Sequence, residues 1–262
     1  MATVHLPDAA IAYDSAGAGV PLVFLHGVGS KAGTWAGQLA HFGRDHLAVA
    51  PDLRGYGRSS GSPATISMQR LGADVAALIE HLGRGPAHVC GLSMGGVVAL
   101  NLWRDRPDLV RSLALADTWA NHPAALANHP QRLAGIDAAT MPELARSRMP
   151  AVYGPDAPPE MVELGVLVFA GLDKAAYRAA SADLWPQDLR DVARTVTVPT
   201  LVMVGEHDAI TPSPLAEELA GLIPGARLVV IPRAGHLTNE ENPAAFNAAL
   251  GELMRGPRLR AD

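Results

Sequence analysis

Cysteine is nearly absent from this chain: Cys90 is the one thiol in 262 residues. No intramolecular disulfide can form, which points to a reducing compartment, and a cytoplasmic location is expected. Charge is sparse as well. Charged residues make up 18% of the sequence and the formal net charge is −5. No long basic run occurs, so nucleic acid is not an expected partner. The mildly basic tail Arg255-Gly256-Pro257-Arg258-Leu259-Arg260 reads as a loose terminus. No uninterrupted apolar run is long enough to span a bilayer, so no membrane partner is expected. The first residues lack the basic stretch and apolar run of a secretory signal. No Gly-x-Gly-x-x-Gly follows the first buried strand, which argues against a dinucleotide site. Asn121-His122-Pro123 recurs as Asn128-His129-Pro130, but nothing near either histidine completes a ligand set. No metal and no cofactor are expected. Oligomeric state is not legible.

Hydrophobic residues, by contrast, make up 48% of the chain, enough for one large α/β domain. Val4 to Leu6 and Ile11 to Tyr13 read as a hairpin around Pro7-Asp8. Leu22-Val23-Phe24-Leu25 is a continuous apolar run, the pattern of a strand buried on both faces. Strands are further expected at 46–50, 87–90, 110–116, 200–204 and 227–231. Helices are expected at 35–42, 71–82, from the turn after Ser93 to about Arg106, at 214–222 and at 243–254. Leu71, Val75, Leu78, Ile79 and Leu82 carry the helical spacing in the second of these. Strands alternating with helices predict a mostly parallel, doubly wound sheet. The alternation breaks between 118 and 198, where helical pieces are separated by Pro and Gly. That stretch is too long for a bare loop. The expected organisation is therefore a core of 1–117 and 199–262, with 118–198 inserted as a helical lid after the sixth strand.

The chemistry centres on Val89-Cys90-Gly91-Leu92-Ser93-Met94-Gly95-Gly96. A short apolar strand enters a Gly-x-Ser-x-Gly turn and leaves as a helix, the setting a nucleophile elbow requires. A serine hydroxyl needs a base to take its proton, and the base needs an acid to orient it. Asp208 and His236 each follow a predicted parallel strand, as Ser93 does, and such strand ends collect active-site groups. Ser93, Asp208 and His236 are the candidate catalytic residues. Asp117, at the end of the strand before the insertion, is the rival acid. Asp208 also reads as a plain turn residue before Thr211-Pro212, and His236 as a buried histidine. The negative oxygen of a tetrahedral intermediate needs main-chain donors. The candidates are the N–H groups of Met94 and Val28, the latter in His26-Gly27-Val28-Gly29-Ser30. His26 itself reads as a loop residue. Cys90 reads as inert core.

Substrate contacts are harder to place. Arg54 and Arg58 are candidates for holding a substrate carboxylate, against the alternative of tying loops together. Trp119 and Trp185 flank the insertion and are candidate pocket walls, with core packing as the alternative. Met141, Met149, Met161, Val166, Leu167 and Phe169 could line an apolar cavity or simply pack the lid.

Five stretches match the α/β-hydrolase fold superfamily in order. They are His26-Gly27, Asp52-Leu53-Arg54-Gly55-Tyr56-Gly57-Arg58-Ser59, Gly91 to Gly96, Gly205-Glu206-His207-Asp208 and Gly235-His236. The chain resembles that superfamily over nearly its full length. The nucleophile, acid, base order is also that of the superfamily. Within it, Gly91 to Gly96, Gly235-His236-Leu237-Thr238-Asn239-Glu240 and Ala244-Ala245-Phe246-Asn247 are most similar to the 3-oxoadipate enol-lactonase and carboxylesterase group. The resemblance implies hydrolysis of a small ester or lactone. Carbon–carbon hydrolysis of ring-cleavage diketones is the alternative, since it uses the same triad. A non-catalytic small-molecule receptor of the same fold is a second alternative. Epoxide hydrolysis and haloalkane dehalogenation need an aspartate where Ser93 stands.

Overall fold

The computed structural model describes residues 2–255; the expected loose tail beyond Arg255 lies outside the described residues. The chain begins with β1 (Ala2–Leu6) and β2 (Ala9–Ala16), paired antiparallel around the Pro7-Asp8 turn. β3 (Pro21–Leu25) is buried at every position, as its continuous apolar run requires. After α1 (Ala36–Phe42) and β4 (Leu47–Pro51) comes α2 (Met68–Leu82), started by the Ser67 hydroxyl accepting from the Arg70 N–H. β5 (Ala87–Leu92) runs into α3 (Met94–Asp105), and β6 (Val110–Ala116) follows.

Six α-helices then intervene: α4 (Pro123–Ala127), α5 (His129–Ala138), α6 (Met141–Arg148), α7 (Pro159–Ala170), α8 (Lys174–Leu184) and α9 (Arg190–Arg194). His122, expected in a turn or at the surface, is buried and caps α4 by accepting from the Ala125 N–H. The alternation resumes with β7 (Thr200–Gly205), α10 (Ser213–Leu222) and β8 (Arg227–Ile231). A short α11 (Thr238–Glu241), not foreseen, precedes α12 (Pro243–Arg255).

The eight strands form one sheet in the order β1-β2-β4-β3-β5-β6-β7-β8. From β4 to β8 every pairing is parallel. α1 and α12 pack together on the sheet, while α2 and α3 form the other layer, continued by α9 and α10. β3, β5 and β7 are wholly buried, and the core lies along them. The parallel arrangement puts the loops after β3, β5, β6, β7 and β8 at one edge of the sheet. Among the described residues no helix is long and apolar enough to cross a membrane.

Candidate active site

Ser93 stands in a tight turn between β5 and α3. Its φ of 55° is in the left-handed region, a strained conformation for a side-chain-bearing residue. The surroundings hold it there. The Ser93 N–H donates to the Ala116 carbonyl at 2.9 Å, and the Thr118 hydroxyl donates to the Ser93 carbonyl at 2.8 Å. Small neighbours are compulsory. A Cβ at Gly91 would sit 2.2 Å from the Gly95 oxygen, and one at Gly95 would sit 2.1 Å from the Leu25 oxygen. The turn therefore nests against β3, and α3 starts directly after the serine.

His236 follows β8. It is buried, and its Nδ1 lies 2.9 Å from Asp208 Oδ2. Its Nε2 has no hydrogen-bond partner among the described residues. Asp208 does two jobs. Oδ1 accepts from the Ile210 and Thr211 N–H groups, closing the turn that was the alternative reading of this residue. Oδ2 accepts from His236 and from the Thr211 hydroxyl. Burial by itself would raise the Asp208 pKa. The histidine's charge and hydrogen bond, with the Thr211 donors, outweigh it and hold the carboxyl at about 2. For His236, burial acts to lower the pKa, but the charge and hydrogen bond of Asp208 overcome it and raise the ring above its ordinary value.

Asp117, the rival acid, also has a positive φ, 49°, and is fully buried. Its carboxyl accepts from the Gly205 N–H and the Thr238 hydroxyl and makes no hydrogen bond to His236. Burial and the neighbouring Asp208 charge push its pKa well above the usual carboxylate range. One ligand atom each from Asp117, Asp208 and His236 lies within 4.8 Å of the others, so only this trio among the described residues has metal-like spacing. Its atoms already have protein partners: Gly205, Thr238, Ile210 and Thr211 donate to the carboxyls, and Asp208 accepts from the ring.

Ser93 and His236 open on one cavity of about 670 Å³. Val28 lines it too. The N–H groups of Val28 and Met94 have no acceptor among the described residues, while the Met94 side chain is packed in the core. His26 beside Val28 is locked by its two bonds, Nδ1 to the Gly27 oxygen at 2.8 Å and Nε2 accepting from the Leu53 N–H at 3.0 Å. Burial lowers its pKa, so it stays neutral. Cys90 is buried in β5 ahead of the turn, and burial with the Asp117 charge pushes its thiol pKa far up.

Three expected substrate contacts are corrected. Arg54 does not reach the cavity. It is fully buried and forms a two-point ion pair with Asp74 on α2, at 2.7 and 2.8 Å, with Asp8 beyond it. Arg58 likewise binds Asp52 and Asp14. Trp119 is fully buried and stacks on Trp185, centroids 5.3 Å apart, so Trp185 walls the cavity and Trp119 backs it. Met149 and Phe169 line the cavity; Met141, Met161, Val166 and Leu167 do not. Residues not foreseen complete the site. Thr211 holds Asp208. Glu241 accepts from the N–H groups of Gly154, Gly235 and Leu237, tying the His236 loop to the inserted segment. Arg132, Arg148 and Tyr177 face the cavity from inserted helices, where nothing in their local pattern marks them.

A family model described as the alpha/beta hydrolase family matches residues 22–249, which include all of these loops. The chain belongs to the alpha/beta hydrolase family. As in that family's sequence pattern, the three candidate residues come after parallel strands of this hydrolase, in the order Ser93, Asp208, His236. Its similar proteins include 3-oxoadipate enol-lactonase 2 of Acinetobacter baylyi, 29% identical over 89% of this chain and 88% of that protein. A thermophilic esterase from Thermogutta terrifontis, solved with malate bound, superposes with a TM-score of 0.89 at 31% identity, covering 97% of this chain and 96% of that one. The enol-lactonase of Burkholderia xenovorans does so with the same TM-score at 26% identity, over 97% of this chain and all of that one (100%).

Proposed function

We propose that this alpha/beta hydrolase cleaves a carboxylic ester or lactone through an acyl-enzyme. The observation that carries the reading is the meeting of strained Ser93 and the His236–Asp208 pair on one cavity. In the reaction, Ser93 Oγ attacks the carbonyl carbon and His236 Nε2 takes the hydroxyl proton. Asp208 keeps the ring proton on Nδ1, which leaves Nε2 free to act as the base. The Val28 and Met94 N–H groups receive the oxyanion, at the start of α3 where the helix dipole adds to them. Collapse of the intermediate breaks the bond to the leaving oxygen, which takes its proton from His236. Water, deprotonated by the same nitrogen, then releases the acid. With a lactone, the leaving alkoxide stays attached to the acyl chain.

The esterase and enol-lactonase among the similar proteins support the choice of bond. The segment 118–198 is read as a lid over this site, because α5, α6, α7 and α8 contribute cavity residues while the sheet contributes the catalytic ones. The test is turnover of 4-nitrophenyl acetate by wild type and Ser93→Ala. Abolition of turnover is expected; undiminished turnover in the variant refutes the mechanism.

A further inference from the structure

The arginines that are not exposed divide into two groups. Arg54, Arg70, Arg106 and Arg190 each meet a carboxylate. Arg132 on α5 and Arg148 at the end of α6 meet none among the described residues. Both of these line the cavity that holds Ser93 and His236.

Aromatic rings hold them in place. The Arg132 guanidinium lies over Trp185, 4.5 Å from the ring centroid. Arg148 lies 5.7 Å from the Tyr177 centroid and donates to the Tyr177 hydroxyl. Stacking uses the face of a guanidinium and leaves its in-plane N–H donors available. Burial and the nearby Arg148 charge lower the Arg132 pKa below its usual range. Two half-buried cations thus line one cavity without a counter-ion among the described residues, an arrangement that costs free energy unless an anion joins it. The cavity's one carboxylate among the described residues, Glu240, does not serve. It is occupied by the Thr34 and Tyr153 hydroxyls and forms no ion pair with either arginine. Lys31 adds a further positive charge to the wall. The rest of the cavity lining is largely apolar and includes Met149, Val168 and Phe169.

We propose that Arg132 and Arg148 form a carboxylate subsite, so that the preferred substrate is an ester or lactone carrying a second, ionised carboxyl group on a short apolar chain. The proposal rests on the serine-hydrolase reading and narrows its substrate. Guanidinium suits the task because its paired donors match the two oxygens of a carboxylate.

The test compares mono-4-nitrophenyl adipate with its neutral methyl ester, two substrates of equal acyl chain length. Wild type should favour the anionic ester in kcat/KM by about tenfold or more, the preference lying in KM. Arg132→Gln and Arg148→Gln should each reduce the ratio, and the double variant should bring it near one. The lysine variants should retain part of it. Both substrates meet the same enzyme molecules, so partial misfolding leaves the ratio unchanged. If the double variant is insoluble, inhibition of wild-type neutral-ester turnover by adipate, against its dimethyl ester, reads the same subsite; stronger inhibition by the diacid is expected. A wild-type ratio of one or less, a ratio that survives the double substitution, or equal inhibition overturns the subsite. The hydrolase reading fails separately, if Ser93→Ala hydrolyses the neutral ester as fast as wild type.

Discussion

Replacing Asp208 by Asn keeps almost every atom of the site and disturbs only the two hydrogen bonds at Oδ2, those from His236 and the Thr211 hydroxyl. The two main-chain donors, Ile210 and Thr211 at 2.8 and 2.9 Å, still find an oxygen at the Oδ1 position, so the turn survives. At the Oδ2 position an NH2 group now faces His236 Nδ1, where a carboxylate oxygen stood at 2.9 Å. An amide N–H needs an acceptor, so the ring must turn its bare nitrogen to the new amide and carry its proton on Nε2. That tautomer cannot take the Ser93 proton. Loss of the carboxylate also removes the charge that stabilises the imidazolium formed in the transition state. Together these predict a fall in kcat/KM of about ten-thousand-fold, roughly 5 kcal/mol of transition-state stabilisation. The assay is 4-nitrophenyl acetate hydrolysis, with thermal unfolding as the control for fold. The pH profile carries a second signature. The base works only when neutral, so kcat/KM falls as pH drops through the His236 pKa. Asp208 raises that pKa above the ordinary 6.5, so the wild-type acid limb lies above 6.5. Without the carboxylate, the residual activity should show its limb at lower pH. A loss under tenfold, an unmoved limb, or a larger loss in Asp117→Asn would refute the assignment of Asp208 as the orienting acid.

Other perturbations follow from the packing. Gly95→Ala places a Cβ 2.1 Å from the Leu25 carbonyl oxygen, backbone against backbone, so the turn cannot close. Soluble yield and Tm should drop sharply; an unchanged Tm would show the approach to be looser. Arg54→Gln leaves the buried Asp74 with only Arg70 at 3.5 Å, and should cost about 3 kcal/mol or more in urea unfolding. Its preference between anionic and neutral esters should be that of wild type; a change there would return Arg54 to the substrate. Cys90 should resist alkylation in the native protein and react once the protein is unfolded, because the thiol is buried and held protonated. Full labelling under native conditions would contradict that.

Local pattern accounts for what is legible in the sequence. Leu22 to Leu25 and Thr200 to Val204 read as strands because a strand buried on both faces has no polar phase, and both are buried throughout. Small residues around Ser93 mark a turn whose neighbours are backbone atoms on either side. α11 leaves no signal because a four-residue helix has too few positions to show a period. The arginines mislead for a different reason. Arg54 lies in a glycine-punctuated loop after a strand, the right address for substrate contact, yet Asp74 reaches it from α2 and accepts from its Nε and Nη2. Arg132 and Arg148 sit on ordinary helical stretches, and only the fold shows that no carboxylate among the described residues comes to them.

By itself, the sequence determined the order of the strands and of the longer core helices, the turn that carries Ser93, and the strand ends where Asp208 and His236 stand. Those follow from consecutive residues, through periodicity and turn geometry. The tertiary structure alone decided that Asp208 rather than Asp117 holds the histidine, that Trp185 rather than Trp119 faces the cavity, and which cavity arginines meet no carboxylate among the described residues. Hydrogen bonds and ion pairs depend on separations of a few ångströms between atoms distant in the chain, and no spacing along a sequence contains them.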